Sequence, residues 1–256
     1  TLYNNTAIRN SVGFNLGLNS FNNTLYSNIA QNNRDQGIAI ASSFSNNITN
    51  NLITNNSFGI YFISSGGTPT SNNLVSLNKI MNNNVGIYLQ QSSHSNNITS
   101  NNITKNSAIG IHIFDLSSSN NSIYNNFFNN TLNAIDKGNN LWNITKTSGT
   151  NIIGGSFLGG NFWHNYNGTD LDGDGLGDTL LPYNSGGNIQ NGGDFLPLVQ
   201  IPPNRPPILQ PIGPRSTYES QLLVIDVDAT DPDNNQLTYS TNALNVIPSP
   251  FTFDPS

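Results

Sequence analysis

A glycine followed by alternating apolar residues recurs along the first half of the chain. The copies are Gly13-Phe14-Asn15-Leu16, Gly37-Ile38-Ala39-Ile40, Gly59-Ile60-Tyr61-Phe62, Gly86-Ile87-Tyr88-Leu89 and Gly110-Ile111-His112-Ile113, with Ala134-Ile135-Asp136 as a worn sixth. The steps are 24, 22, 27, 24 and 24 residues. An Asn-Asn pair recurs beside them at Asn22, Asn46, Asn72, Asn96 and Asn120, so two markers share one period. Alternation lasts only three or four positions per unit, the length of a short half-buried strand, and Asn, Ser and Gly fill the intervals. A unit of this kind cannot bury its own apolar face and must stack on its neighbours. The pattern predicts an all-β fold, a parallel β-solenoid with one coil of about 24 residues per repeat. The longest step contains Ser64-Ser65-Gly66-Gly67-Thr68-Pro69-Thr70, an insertion expected to bulge from one corner without disturbing the ladder.

Composition sharpens this reading. Asn supplies 49 of 256 residues, about a fifth against the usual few per cent. It suits solenoid corners because it tolerates the left-handed backbone region, and identical Asn side chains stacked every ~4.8 Å form amide ladders. The absence of Cys excludes disulfide staples, zinc ribbons, Fe–S sites and thiol nucleophiles. No apolar run approaches the roughly 18 residues of a membrane span. No basic patch interleaved with aromatics is present, which argues against nucleic acid. Residues 1–150 carry six basic and three acidic side chains and residues 151–256 two and eleven, giving the net charge of −6. The acids are concentrated where ions are expected.

Units such as SNNITNNLITNNSFGIYF (Ser45 to Phe62) and HSNNITSNNITKNSAIGIHI (His94 to Ile113) resemble NosD-type right-handed parallel β-helix repeats. Those belong with the carbohydrate-binding and sugar-hydrolase β-helix proteins and are common in archaeal cell-surface proteins. GGNFWHNYNGTDLDGDGLGDTLLPY (Gly159 to Tyr183) resembles the segment that closes such helices. The resemblance implies a right-handed parallel β-helix and an extracellular or cell-surface location.

Sugar-cleaving chemistry needs paired carboxylates or a carboxylate with a basic partner. The repeats offer Asp35, Asp115 and Asp136, at −2, +5 and +2 from the glycine marker of their own coils, so no two stack and no enzyme is expected. His112 alternates with Ile111 and Ile113 and should face outward. Tyr61 and Tyr88 occupy equivalent positions one coil apart and read as surface aromatics. The family name also carries a copper label, but copper wants His, Met or Cys. The three His (His94, His112, His164) and Met81 fall on separate coils, so copper is not expected.

Asn-X-Ser/Thr sequons, the glycosylation candidates, start at Asn4, Asn22, Asn47, Asn55, Asn97, Asn102, Asn120, Asn129, Asn143 and Asn167. With Asn, Ser and Thr this abundant, chance alone gives about that many. On a cell surface those at corners would be used first.

The sharpest motif is Asp170-Leu171-Asp172-Gly173-Asp174-Gly175-Leu176-Gly177-Asp178. Asp170, Asp172, Asp174 and Asp178 at loop positions 1, 3, 5 and 9, with the Leu176 carbonyl at position 7, follow the calcium loop of EF-hands. Position 12 is Leu181, so a remote acid such as Asp194 or water would complete the shell. The motif likewise resembles dockerin and thrombospondin-type calcium loops. Trp142, Phe157, Phe162, Trp163 and Tyr166 lead into it and are expected to plug the open end of the solenoid.

Seven of the thirteen prolines fall between Pro197 and Pro214, marking a semi-rigid linker. Beyond it, LLVIDVDATDPDNNQLTYS (Leu222 to Ser240) resembles cadherin-like and immunoglobulin-like surface modules. That resemblance implies a second calcium set at Glu219, Asp226, Asp228, Asp231 and Asp233. The expected organisation is a capped β-helix over 1–196, a linker over 197–214 and a partial β-sandwich over 215–256. The expected function is a structural, self-associating surface-layer, sheath or filament subunit stabilised by calcium, a homo-oligomer or polymer with glycans as further partners. The alternative is a polysaccharide-binding or polysaccharide-cleaving β-helix protein.

Overall fold

The computed structural model describes residues 1–64, 67–200, 205–218, 221, 225–233 and 235–240. The chain divides into two units, Thr1–Ile201 and Pro202–Ser256. In the first, each coil contributes three short strands, one to each of three parallel faces. Face one runs from Leu2–Tyr3 to Ser122–Tyr124 in six strands, and face two from Thr6–Ile8 to Phe162–Trp163 in seven. Face three, which holds the glycine-marked strands, runs from Val12–Leu16 to Leu132–Asp136 in six. The described residues contain no helix.

Register is set by the inward residue of each strand. Ile48, Val75, Ile98 and Ile123 align on face one, Ile53, Ile80, Ile103 and Phe128 on face two, and Ile60, Ile87 and Ile111 on face three. All are fully buried and form one continuous core. Slipping any strand by one residue would turn its apolar side chain to water.

Three columns of asparagine run beside this core, buried in every rung but the first. The first is Asn5, Asn28, Asn51, Asn78, Asn101, Asn126 and Asn161. The second is Asn23, Asn46, Asn73, Asn96, Asn121 and Asn140. The third is Asn10, Asn33, Asn56, Asn83, Asn106, Asn130 and Asn133. The linkage repeats along each column. Asn51 donates its backbone N–H and its Nδ2 to Asn78 Oδ1, both at 2.9 Å. Nδ2 also donates back to a carbonyl of the preceding coil, as from Asn101 to Val75 at 2.9 Å.

The residue just before a ladder asparagine takes the left-handed conformation in most coils, as at Asn50 (φ 56), Asn55 (φ 57) and Asn125 (φ 55). The first Asn of an Asn-Asn pair therefore makes the corner and the second enters the ladder. Where Ser45 or Ser95 makes the corner (φ 54 and 56), the first Asn of the following pair is the ladder residue. This corrects the expected spacing. True steps in the second ladder are 23, 27, 23, 25 and 19 residues, and the 27-residue step passes the Ser64–Thr70 insertion with the Asn46 to Asn73 bond intact at 3.1 Å. The sixth copy is likewise shifted by one: Ile111 pairs with Ala134, so Asn133, not Ala134, continues the glycine column.

Glycine in that column is fixed by crowding. A Cβ on Gly86 would lie 2.4 Å from the Gly110 oxygen and 2.9 Å from Asn106 Nδ2.

The solenoid unit extends past the expected boundary at 196. Leu198 is buried and bridges Phe162 and Leu176, so the start of the expected linker belongs to the cap. In the second unit Ile208–Leu209 pairs antiparallel with Ala229–Thr230, which places two more linker residues in a sheet. Leu222 to Val224 and the residues after Ser240 lie outside the described residues, so the expected sandwich is represented by this one pairing. Among the described residues no helix is long and apolar enough to cross a membrane.

Asn101→Ala removes an acceptor used by two buried donors of Asn78. At roughly 1–3 kcal/mol for each stranded buried group, the expected loss is about 2–6 kcal/mol. Asn50→Ala, at an exposed corner, should cost no more than the ~1–2 kcal/mol of left-handed strain. Urea unfolding midpoints of the two variants check the ranking.

Candidate functional site

The distal end of the solenoid gathers the chemically distinctive residues, and the ladders bring them there. Each ladder points its N–H groups toward the C-terminal coils, so its last rung needs an acceptor. Asn161 donates its backbone N–H to Asp194 Oδ2 at 2.7 Å, and Trp163 Nε1 donates to the same oxygen at 2.8 Å. Leu196 N–H serves Oδ1 at 3.0 Å. In the second ladder Asn140 Nδ2 donates to Asp136 Oδ1 at 2.9 Å and Trp142 Nε1 to Oδ2 at 2.9 Å. Two ladders thus end in the same way, on a fully buried carboxylate shared with a tryptophan two residues beyond the last asparagine. The third ends differently, with Asn133 Nδ2 donating to Asn165 Oδ1 at 2.9 Å.

The expected aromatic plug is half right. Trp142 and Trp163 are 1% exposed, and Trp163 packs between Phe128, stacked on it, and Tyr183, tilted by 32° against it, each at 4.5 Å. Tyr183 was not foreseen. Phe162 instead stacks outside on Phe127 at 4.5 Å, and Phe157 packs under Lys146. In a parallel strand neighbouring side chains face opposite ways, so Phe162 cannot point inward when Trp163 does. Tyr166 packs against the core and meets Tyr183 edge-on.

The acidic loop adjoins Tyr166, whose hydroxyl donates to the Thr179 carbonyl at the loop's end at 2.5 Å. Oxygens of Asp170, Asp172 and Asp174 lie within 4.8 Å of one another. The turn is held by Asp170, which accepts Gly173 N–H and Gly175 N–H, each at 2.7 Å, and by left-handed Gly173 (φ 79) and Gly175 (φ 86). Asp178 Oδ2 closes the loop on Leu171 N–H at 2.7 Å and stands apart from the group of three. Leu176 buries its side chain beside Leu198. Lys146 forms an ion pair with Asp174, a partner that sequence spacing did not suggest. Asp194, the expected remote ligand, is instead spent on the ladder.

In the second unit Asp233 pairs with Arg205 at 2.8 Å, and Asp231 accepts the N–H of Asp233 at 2.8 Å. Among the described residues Asp226, Asp228, Asp231 and Asp233 do not form a cluster of three ligand oxygens, and Glu219 lies outside them.

On face three Tyr61 and Tyr88 stack at 5.4 Å and 4°, with Phe58 tilted against both at 5.2 Å and His112 edge-on to Tyr88 at 5.0 Å. His112 faces outward as expected, and burial followed by the nearby Lys137 lowers its pKa. Offset stacking turns the ring faces toward each other, so these tyrosines present edges to solvent. Asp115 is occupied by Gln91 N–H at 2.7 Å and Ser117 Oγ at 2.6 Å, and Asp35 by Ser11 and Arg34.

The sequons have structural origins. Those at Asn4, Asn22, Asn55 and Asn120 are an exposed left-handed corner, a ladder asparagine and then Ser or Thr. Those at Asn47, Asn97 and Asn102 are the outward, inward and outward positions of a strand. Asn129 is exposed at a strand end and precedes ladder Asn130, and Asn167 is exposed, whereas Asn47, Asn97 and Asn143 are half-buried.

Coil stacking, ladders and cap together define an all-β repeat protein of the parallel β-helix class. The family profile described as "Periplasmic copper-binding protein (NosD)" matches residues 1–80 and 66–168, that is, the first 168 of 256 residues. The chain belongs to the NosD family. That family is periplasmic, and the chain is accordingly extracytoplasmic, in agreement with an extracellular or cell-surface location. No curated protein and no solved structure matches the chain.

Burial pushes the Asp194 carboxyl up to about 7 against the pull of the N–H groups of Asn161, Trp163 and Leu196, and burial raises Asp136 in the same direction. The folded chain therefore holds these protons more tightly than the unfolded chain. For Asp194 the associated stability is complete below the ordinary value of 3.8, falls as pH rises to about 7 and is then level, and Asp136 acts with the same sign. Asp35 and Asp115 are lowered and act with the opposite sign at more acid pH. Melting temperature should therefore decline from about pH 4 to 7, and Asp194→Asn should flatten most of that decline.

Proposed function

We propose that this chain is a non-catalytic structural protein of the cell exterior, a subunit of a surface layer, sheath or filament, whose cap is pinned by calcium. One observation carries the reading: the three carboxylates of the repeats are each consumed by local hydrogen bonds, Asp136 inside the core and Asp35 and Asp115 at the surface. None is left beside another carboxylate or a histidine in the way acid/base cleavage of a sugar requires. The ladders supply what a structural element needs, a stiff core satisfied at every rung. Exposed apolar side chains at the corners, among them Leu18 and Phe21 stacked on Phe44, support association between copies. Calcium is supported by the three gathered carboxylates of the acidic loop and by oxygen-only ligation suited to that ion.

Electron microscopy of native material should show an ordered lattice or filament. Incubation with acidic and neutral polysaccharides should release no new reducing or unsaturated ends; turnover abolished by Asp115→Asn would replace this reading with the polysaccharide-cleaving one. For the loop, a chelator should lower the melting temperature of the wild type, and Asp172→Ala should remove that sensitivity. A wild type indifferent to chelator would leave only an acidic turn.

A further inference from the structure

The family description names copper, and the donors of this chain can be tested against it position by position. In a parallel solenoid the side chains able to share an ion are the neighbours in the same row, one coil or ~4.8 Å away, and those two residues along the strand, ~6.6 Å away. A protein copper site draws on several imidazole or sulfur donors placed together. The chain has three His, one Met and no Cys, and all four donors lie among the described residues.

His112 has Tyr88 and Ile135 as its row neighbours and Gly110 and Phe114 along its strand. Its ring is committed edge-on to Tyr88 and Phe114 at 5.0 and 5.8 Å, and the nearby Lys137 ammonium that lowers its basicity would repel a metal cation as well. Met81 has Thr54 and Thr104 as row neighbours, with Lys79 and Asn83 along the chain. His94 pairs with Ser71 and directs Nδ1 to Ser95 Oγ at 3.2 Å. His164 follows face two, and its Nδ1 lies 3.2 Å from Asn133 Nδ2. Continuing the face-two register past Trp163 puts His164 in the row of Met81 but three coils away, ~14 Å. Every soft donor is therefore alone, and no oxygen-ligand cluster among the described residues includes a histidine.

We infer that this NosD-family chain does not form a copper site: what it shares with the family is the coil, not the metal. The two properties are separable because the coil is specified by asparagine, glycine and isoleucine positions, none of which supplies a copper ligand.

Loading the full chain with one equivalent of Cu(II), and separately with Cu(I) under reductant, followed by dialysis against a competing chelator, tests this. The expected retention is below a tenth of an equivalent, unchanged in a variant carrying His94→Asn, His112→Asn and His164→Asn. Retention of half an equivalent or more by the wild type overturns the inference. Loss of that copper in the single His112→Asn or His164→Asn variant would place the site. Neither result bears on lattice formation or on chelator sensitivity of the acidic loop, so the structural reading stands or falls separately.

Discussion

A buried primary amide must have both its oxygen and its two N–H groups satisfied, and along the three columns of the solenoid this is done by stacking each amide on the next. That requirement organises everything else. It fixes the rise of the solenoid at the separation of hydrogen-bonded strands, ~4.8 Å, and obliges coils of unequal length to return to the same three columns. It also explains the glycine column. The ladder amide of the third column comes so close to face three that a Cβ is crowded out at Gly37, Gly59 and Gly86 by Asn56, Asn83 and Asn106, and a side chain enters the column only at its last position, Asn133.

The columns are directional. From coil to coil each rung oxygen accepts from the rung before and each rung N–H donates to the rung after, so aligned amide dipoles leave positive ends at the distal coils, much as a helix does at its N-terminus. A carboxyl group offers two acceptor oxygens to the donors that end each column and is a natural final rung. Asp136 and Asp194 take this place, and each brings a tryptophan whose indole N–H uses the remaining capacity while its rings cover the last apolar layer. The cap is therefore continuous with the ladder chemistry.

Much of this was legible in the sequence. Short alternating segments at a fixed period gave the coil, and abundant Asn gave the amide stacks. What escaped was phase: Asn22-Asn23 and Asn46-Asn47 look alike, yet the ladder takes the second member of one and the first of the other, because Ser45 can make the left-handed corner as well as Asn22 does. The Gly-x-Asn-x-Trp motif, present at Gly138 to Trp142 and again at Gly159 to Trp163, was a readable signal for the paired caps. The role of Asp194 was not readable, since it arrives from 33 residues beyond its partner Asn161 and no local pattern announces it. Lys146 reaches the acidic loop across 28 residues for the same reason. Three of the loop's carboxylates do gather as their spacing implied.

The step of 27 residues between Asn46 and Asn73 has a consequence for how such a chain changes over time. Extra residues at a corner are absorbed sideways and leave the rung spacing untouched, whereas gain or loss of a whole coil must change the axial extent by one rung. Length and outline are thus encoded separately. The asparagines act as graduations on a ruler, with distance counted in whole units, and the corners are free margins in which new loops can be written without altering the measure.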